Sequence, residues 1–298
     1  MKITFIYAYE NEEWSTPMAL AKEFQLRDWE VDFVSIGSNR TGQYHDRNIQ
    51  AWLDSKPQTD IVIFLDWGRF DSPLLDKNLV DAFWVQESGD DPQNFQRNSP
   101  KSNKFHLTIT PDYDSYTEYK LMGSDVEWIP HFADNNTHFP IEKKPEYVAV
   151  TSRGLGGSSF LDQLTEWGQG AIGNKNGMNH KEHTSFLNSG LMVIQNSRWG
   201  EITRRIFEGM ACKKLVITDR LHQSKKLHEL FEEGKEIVFY DDIVDCINKI
   251  NYYHKNKEER NKISENGYKK VLNNYTQQQV VDKIISKYNS WNLKKEKK

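Results

Sequence analysis

The run RRIFEGMACKKLVITDRL, residues 204–221, sets one carboxylate, Glu208, between Phe207 and Met210, where a helical pattern gives way to a strand-like one. On a helical wheel Thr203, Ile206, Phe207, Met210 and Ala211 share one stripe. Glu208 lies on its flank, one turn from Arg204. Two readings follow. In one, Arg204 and Glu208 form an exposed i,i+4 pair contributing a few tenths of a kcal/mol. In the other, a carboxylate near a sheet's carboxyl edge accepts two hydroxyl hydrogen bonds from a ribose. An ionised carboxylate takes several such bonds and holds them more strongly than a neutral acceptor does.

Other groups could act beside it. Arg153, just after a strand in VTSRGLGG, and Arg205 could neutralise an anionic ligand; a surface turn and a solvated helix face are the alternatives. The glycine-rich run GLGGSS (154–159), with Gly156 inside it, offers backbone N–H groups to a phosphate, or is a plain turn; it is neither GxGxxG nor a P-loop. Asn196 ends the strand-like run GLMVIQN. In WVQESGDDPQNF (84–95) Glu87, Asp90 and Asp91 follow a strand. Such a carboxylate can take a proton from an acceptor hydroxyl, or the group is a capped, solvated turn. Asp112 and Asp114 form a DxD, a spacing that can hold a divalent ion but is common by chance. His180 and His183 lie three apart with no cysteine or carboxylate set to complete a zinc site, so no metal is assigned. His131 and His138 are expected on a linker surface, with His131 also a candidate to face a cleft.

The elements that must position these groups read as two successive α/β patterns. KITFIYAY, VDFVSIG, DIVIFLD, AFWVQE and FHLTIT predict strands. WSTPMALAKEFQLRDW, with Pro17 in its first turn, and RNIQAWLD predict helices between the early ones. FADNNTHFPIEKKPE (132–146) is polar and aperiodic, and it marks a boundary. Beyond it YVAVTS, GLMVIQN, KLVITD and EIVFYD predict strands. SSFLDQLTEW, GEITRRIFEGMA, LHELFEEG, 243–256 and 257–275 predict helices, and TQQQVVDKIISKYNSWNL a final one. The expected division is 1–140, 146–275, and a C-terminal helix with basic tail at 276–298, a candidate to cross back. Two doubly wound parallel sheets facing a cleft would take a ligand outside the carboxyl ends of their strands.

Composition narrows the class. The 298 residues are 37% hydrophobic, with a mean hydropathy of −0.78, enough for two cores beneath a very polar surface. No run approaches the roughly 18–20 apolar residues of a membrane span. Two cysteines, Cys212 and Cys246, make no disulfide framework, which points to a reducing, cytoplasmic compartment. Residues 1–144 carry 14 Lys+Arg against 24 Asp+Glu, net −10; the remainder carries 25 against 19, net +6. The acidic front half argues modestly against nucleic acid, and the mildly basic back half suits a phosphate-bearing small ligand or is composition drift between surfaces.

The ordered set R-x-F-E-x-M-A, a strand ending in T-D, L-x-E-L-F-x-x-G-x-E, Y-D-D, E-E-R and N-G resembles the C-terminal domain of GT-B glycosyltransferases, in particular the CgeB-like branch. TITPDYDSYTEYKLMGSDVEWIPHFADNNTHF and the stretch around Glu87 also resemble that branch, so the likeness covers most of 105–285 and is weak before that. The resemblance implies two Rossmann-like domains. It also implies a metal-independent transfer of a sugar from a nucleoside-diphosphate sugar, UDP-sugar foremost, to a hydroxyl acceptor. That acceptor would be a glycan, protein, small molecule or, less readily, a modified nucleic acid. Glu208 would hold the donor ribose. Two features depart from the family. Gly200 stands where the first glutamate of E-x7-E belongs, with Glu201 one residue off. Lys213 replaces the glycine of the A-C-G turn. An epimerase-like enzyme on the same fold and a non-catalytic nucleotide-sugar-binding module are the alternatives.

Overall fold

The computed structural model describes residues 1–8, 15–38, 43–65, 68, 70–151, 159–175 and 177–297. The chain divides into two compact units, Met1–Pro130 with Gln277–Lys298, and His131–Thr276.

The first unit contains β1 (Lys2–Tyr7), α1 (Thr16–Gln25), β2 (Glu30–Ser35), a short antiparallel pair β3 (Gly37–Ser38) and β4 (Gln43–Tyr44), α2 (Arg47–Asp54), β5 (Ile61–Leu65), β6 (Phe83–Glu87), α3 (Phe95–Asn98), β7 (Leu107–Thr110), α4 (Tyr113–Leu121) and β8 (Val126–Trp128). Its main sheet runs β2-β1-β5-β6-β7-β8, parallel throughout. Every residue of β5 is buried, which is why IVIFL reads as an unbroken apolar run: a parallel sheet is covered on both faces. Pro17 sits in the first turn of α1, where its missing N–H costs nothing. The C-terminal helix α11 (Gln277–Lys295) belongs to this unit. It buries Val280, Val281, Ile284 and Tyr288. The Tyr288 ring meets Trp29 edge-on, and its hydroxyl donates to Asp60 at 3.2 Å.

The second unit contains β9 (Tyr147–Thr151), α5 (Ser159–Gly168), β10 (Ile172–Asn174), α6 (His180–Asn188), β11 (Gly190–Gln195), α7 (Arg204–Ala211), β12 (Leu215–Asp219), α8 (Leu227–Leu230), β13 (Val238–Tyr240), α9 (Ile243–Lys255) and α10 (Lys257–Asn274). The sheet order is β10-β9-β11-β12-β13, again parallel. Ala149, Leu164, Met192, Ile194, Leu215, Ile217, Cys246 and Ile250 form a core on one face. Gly267 allows α10 to approach this unit closely, since a Cβ there would lie 2.6 Å from the Glu236 carbonyl oxygen.

Two helices are shorter than the pattern predicts. GEITRRIFEGMA becomes helical only after Thr203, because Gly200 adopts φ +69° and the chain loops through 200–203. LHELFEEG is helical only over Leu227–Leu230 before Phe231 turns extended. At the end of α7, Lys213 takes φ +57°, the conformation for which the related pattern has glycine. Its ammonium group pairs with Glu265 at 2.6 Å and lies over the Tyr268 ring.

Candidate functional site

In the second sheet β9 has β10 on one side and β11 on the other, so the direction of winding reverses between β9 and β11. The chain leaves both strands on opposite sides there, which opens a crevice outside their carboxyl ends. Thr151 ends β9, and its buried hydroxyl oxygen meets no partner among the described residues. The same holds for Thr203, the N-cap of α7, whose side chain makes no capping bond. Two of the sequence candidates, Arg153 and Gly156, lie outside the described residues.

Glu208 projects from α7 into a buried cluster. It is 8% exposed, which excludes the solvated-flank reading. Arg204 does pair with it, Nε to Oε1 at 3.1 Å, but within the interior. His138 Nε2 lies 3.9 Å from Oε1 and His183 Nδ1 4.0 Å from Oε2. The two imidazoles share a hydrogen bond, Nε2 of His138 to Nδ1 of His183, at 3.2 Å. Burial alone would raise the Glu208 pKa. The combined attraction of His138, Arg204, His183 and Arg205 outweighs it and holds the carboxyl at about 2. Burial likewise pushes both imidazoles below their ordinary value, against the pull of Glu208. The group is therefore an ionised carboxylate among two imidazoles and arginine side chains.

Local folding explains how distant residues meet. Asp134 accepts from the Asn136 N–H and the Thr137 hydroxyl, and its carbonyl accepts the His138 N–H, closing a turn that sends His138 inward. Far from lying on a linker surface, His138 is 3% exposed. Helix α6 clasps the same segment. Thr184 donates to the Thr137 carbonyl, and Asn188 donates to that of Phe139 and accepts the Ile141 N–H. A capping box between Asn179 and Glu182 fixes the start of α6 and so the place of His183. His183 thus faces His138 and Glu208. No spacing in the sequence signals this, since the three come from separate segments; only the Asp134–Thr137 turn residues hint at a bend before His138.

The remaining candidates divide. Arg205, half-buried, contributes to the field on Glu208. Asn196 donates to the Tyr240 hydroxyl at 3.0 Å, which in turn donates to the Gln195 carbonyl, tying the carboxyl ends of β11 and β13 together. Asp219 accepts from the Ser197 N–H and hydroxyl and so pins the loop after β11. Glu201 turns back on that loop and accepts the Arg198 and Trp199 N–H groups. In the first unit Glu87 ends β6 and is half-buried; Asp91, 3% exposed, accepts from the Thr110 hydroxyl at 2.9 Å. His131 is half-buried in the second unit, so these three candidates are divided between the units. The DxD is a helix start: Asp112 caps α4 by accepting the Ser115 N–H at 2.9 Å. A polar hollow of about 760 Å³ beside Lys2, Asp60 and Tyr288 lies at the amino ends of β1 and β5, away from any carboxyl edge.

Among the described residues no helix is long and apolar enough to cross a membrane. Residues 140–286 match a family model described as glycosyl transferase-like. No curated protein matches the chain by sequence. Solved structures match it over nearly the whole length. HepE from Anabaena, in complex with UDP and glucose, has a TM-score of 0.69 at 14% identity, covering 97% of this chain and 100% of that one. Sucrose-phosphate synthase from Thermosynechococcus elongatus gives 0.69 at 9% identity over 98% and 99%. A glycosyltransferase from Rickettsia africae gives 0.69 at 12% over 97% and 98%. The chain as a whole therefore has the GT-B glycosyltransferase fold, two Rossmann-like α/β domains, with residues 140–286 similar to the glycosyl transferase-like family.

Proposed function

We propose that the protein transfers a sugar from a nucleoside-diphosphate sugar, a UDP-sugar foremost, to a hydroxyl acceptor, in the cytoplasm and as a member of the CgeB-like branch. The observation that carries this reading is Glu208, a buried carboxylate held ionised on the helix that follows the switch-point strand. Neighbours of the same fold were solved with UDP and with UDP-glucose, which supports the choice of donor. Glu208 accepts the two ribose hydroxyls. Arg205, the N-terminus of α7, Arg153 and Gly156 receive the diphosphate, whose negative charge the helix dipole favours. Asn196 lies beside the donor. As the glycosidic bond loosens, these positive groups stabilise the departing diphosphate, so transfer needs no metal ion. Glu87, Asp91 and His131 are the candidates to take the acceptor proton. The acceptor is a glycan, a protein, a small molecule or a modified nucleic acid.

Glu201 favours a second reading. Its carboxylate is spent on the loop's own N–H groups, as suits a module that binds nucleotide sugar without turning it over. A thermal-shift screen against UDP-, GDP-, dTDP- and CMP-sugars in EDTA tests the donor site. One donor should raise the melting temperature of the wild type, by mass action, and not that of Glu208→Ala. No shift with any donor would contradict the proposal. Release of free UDP in the presence of candidate acceptors then separates transfer from binding alone.

A further inference from the structure

The His138–His183–Glu208 cluster has a geometry that ribose binding does not require. Each residue offers one ligand atom, and the three atoms all lie within 4.8 Å of one another. Nε2 of His138 and Nδ1 of His183 are 3.2 Å apart, and the Glu208 oxygens lie 3.9 and 4.0 Å from them. Ligands about 2.0–2.1 Å from a tetrahedral zinc ion are about 3.3 Å from each other. The imidazole pair already has that spacing, and the Glu208 carboxylate, which turns Oε1 toward His138 and Oε2 toward His183, has to close on the pair for one oxygen to complete the triangle. We propose that His138, His183 and Glu208 form a three-ligand site for a divalent transition-metal ion, Zn²⁺ by its ligand set, and that a bound ion closes the nucleotide-sugar site.

Three features favour this assignment. The ligands are two imidazoles and one carboxylate, the set that suits zinc and its neighbours; magnesium prefers oxygen ligands in octahedral geometry. The two imidazoles present ring nitrogens to one another 3.2 Å apart, so both face the point an ion would occupy. Their mountings are rigid: the Asp134 turn holds His138, and the capping box holds α6. An ion here replaces the proton that the two imidazoles now share.

Arg204 opposes the ion. Its guanidinium contacts Glu208 Oε1 and lies over the Phe132 ring, so it stays close to any cation bound there. It lowers the affinity and makes the site responsive to metal concentration rather than permanently filled. Metal binding stands independently of the proposed function. The closing of the donor site rests on that reading, because both ligands then compete for the Glu208 carboxylate.

Titration of the full-length protein with Co²⁺, followed by its visible ligand-field absorption and by displacement with Zn²⁺, tests the site. The wild type should take up one equivalent. His183→Ala should weaken binding at least about tenfold. Arg204→Gln should tighten it by about tenfold, a gain that neither misfolding nor adventitious surface binding produces. A wild type with no saturable Co²⁺ band, or an Arg204→Gln affinity that is unchanged, would overturn the site. In a second arm, UDP affinity should fall at least about tenfold with saturating Zn²⁺ and return with EDTA. Equal UDP affinity in both conditions overturns the blocking role. UDP that does not bind even in EDTA overturns the donor assignment and the blocking role together, while the Co²⁺ titration decides the metal site by itself.

Discussion

The carboxyl ends of the two sheets bury polar groups in different ways. Around β6 and β7 one buried network is built of neutral groups, Gln86, Ser88, Asn98, Thr108 and Tyr119, that bond to one another. Gln86 donates to the Asn98 carbonyl and accepts from Thr108. Asn98 and Tyr119 both donate to the Ser88 hydroxyl. At α7 the buried group is an ion. Glu208 faces two imidazoles at 3.9 and 4.0 Å and an arginine, contacts that offset its desolvation and leave it charged. A satisfied neutral network fixes a core at little electrostatic cost. A buried charge costs several kcal/mol of desolvation, and removing one partner of such a pair costs about 3–5 kcal/mol. Perturbed ionisation of this kind clusters at functional sites. The contrast sets a neutral network in the first unit against an ionised cluster in the second, where the proposed donor site lies.

Substitutions on each side test that contrast. The largest effect is expected for Glu208→Gln, which keeps the shape and removes the charge. Two charge-assisted hydrogen bonds to ribose, at roughly 1.5–3 kcal/mol each, imply a loss of at least about 100-fold in UDP affinity by calorimetry. Asn98→Ala acts on the other side. It should cost about 1–3 kcal/mol in denaturant unfolding, because it strips a buried network of a member, and it should leave UDP affinity unchanged. Reversed outcomes, stability loss at Glu208 with intact binding or the converse at Asn98, would erase the distinction.

A smaller effect concerns His106 in the first unit. Its Nδ1 accepts the Trp84 N–H at 3.0 Å, which requires an unprotonated nitrogen, and the ring stacks on Phe83. Burial first, then Lys77, pushes its pKa down to about 4. An unfolded histidine takes up its proton near pH 6.5. Between those values the unfolded chain binds more protons, so stability rises with pH across this window. It is fully present above about 6.5 and lost as pH falls toward 4. The ring is only half-buried, so solvent reduces the amplitude. His106→Asn should flatten this part of the stability–pH curve in thermal melts. The smallest effect is at Lys213. Lys213→Val, a β-branched residue at φ +57°, should cost about 1–2 kcal/mol. Lys213→Gly should stay within about 1 kcal/mol of wild type, since relief of the strained φ offsets the lost pair with Glu265.

Much of this architecture is legible in the sequence because parallel strands covered on both faces leave long apolar runs, as KITFIY and IVIFL do. Short elements leave no such trace. β10 is three residues at a sheet edge, and α6 (HKEHTSFLN) buries Thr184 and Asn188 alongside Phe186 and Leu187, which blurs its period. Glu208 is found through the F-E-x-M-A pattern, whereas its burial and its imidazole partners are not. His138 reaches it through a turn closed by Asp134, and His183 through a helix capped at Asn179. Contacts built from three segments depend on tertiary packing and leave no spacing to read.

The claim that Glu208 grips the donor ribose is tested most directly by a cycle in ligand and protein together. UDP and 2′-deoxy-UDP are each titrated into the wild type and into Glu208→Gln, in EDTA. The account predicts that the wild type loses about tenfold or more on removal of the hydroxyl, while Glu208→Gln binds both nucleotides equally and weakly. An equal loss in both proteins would mean that the hydroxyl and the carboxylate do not meet.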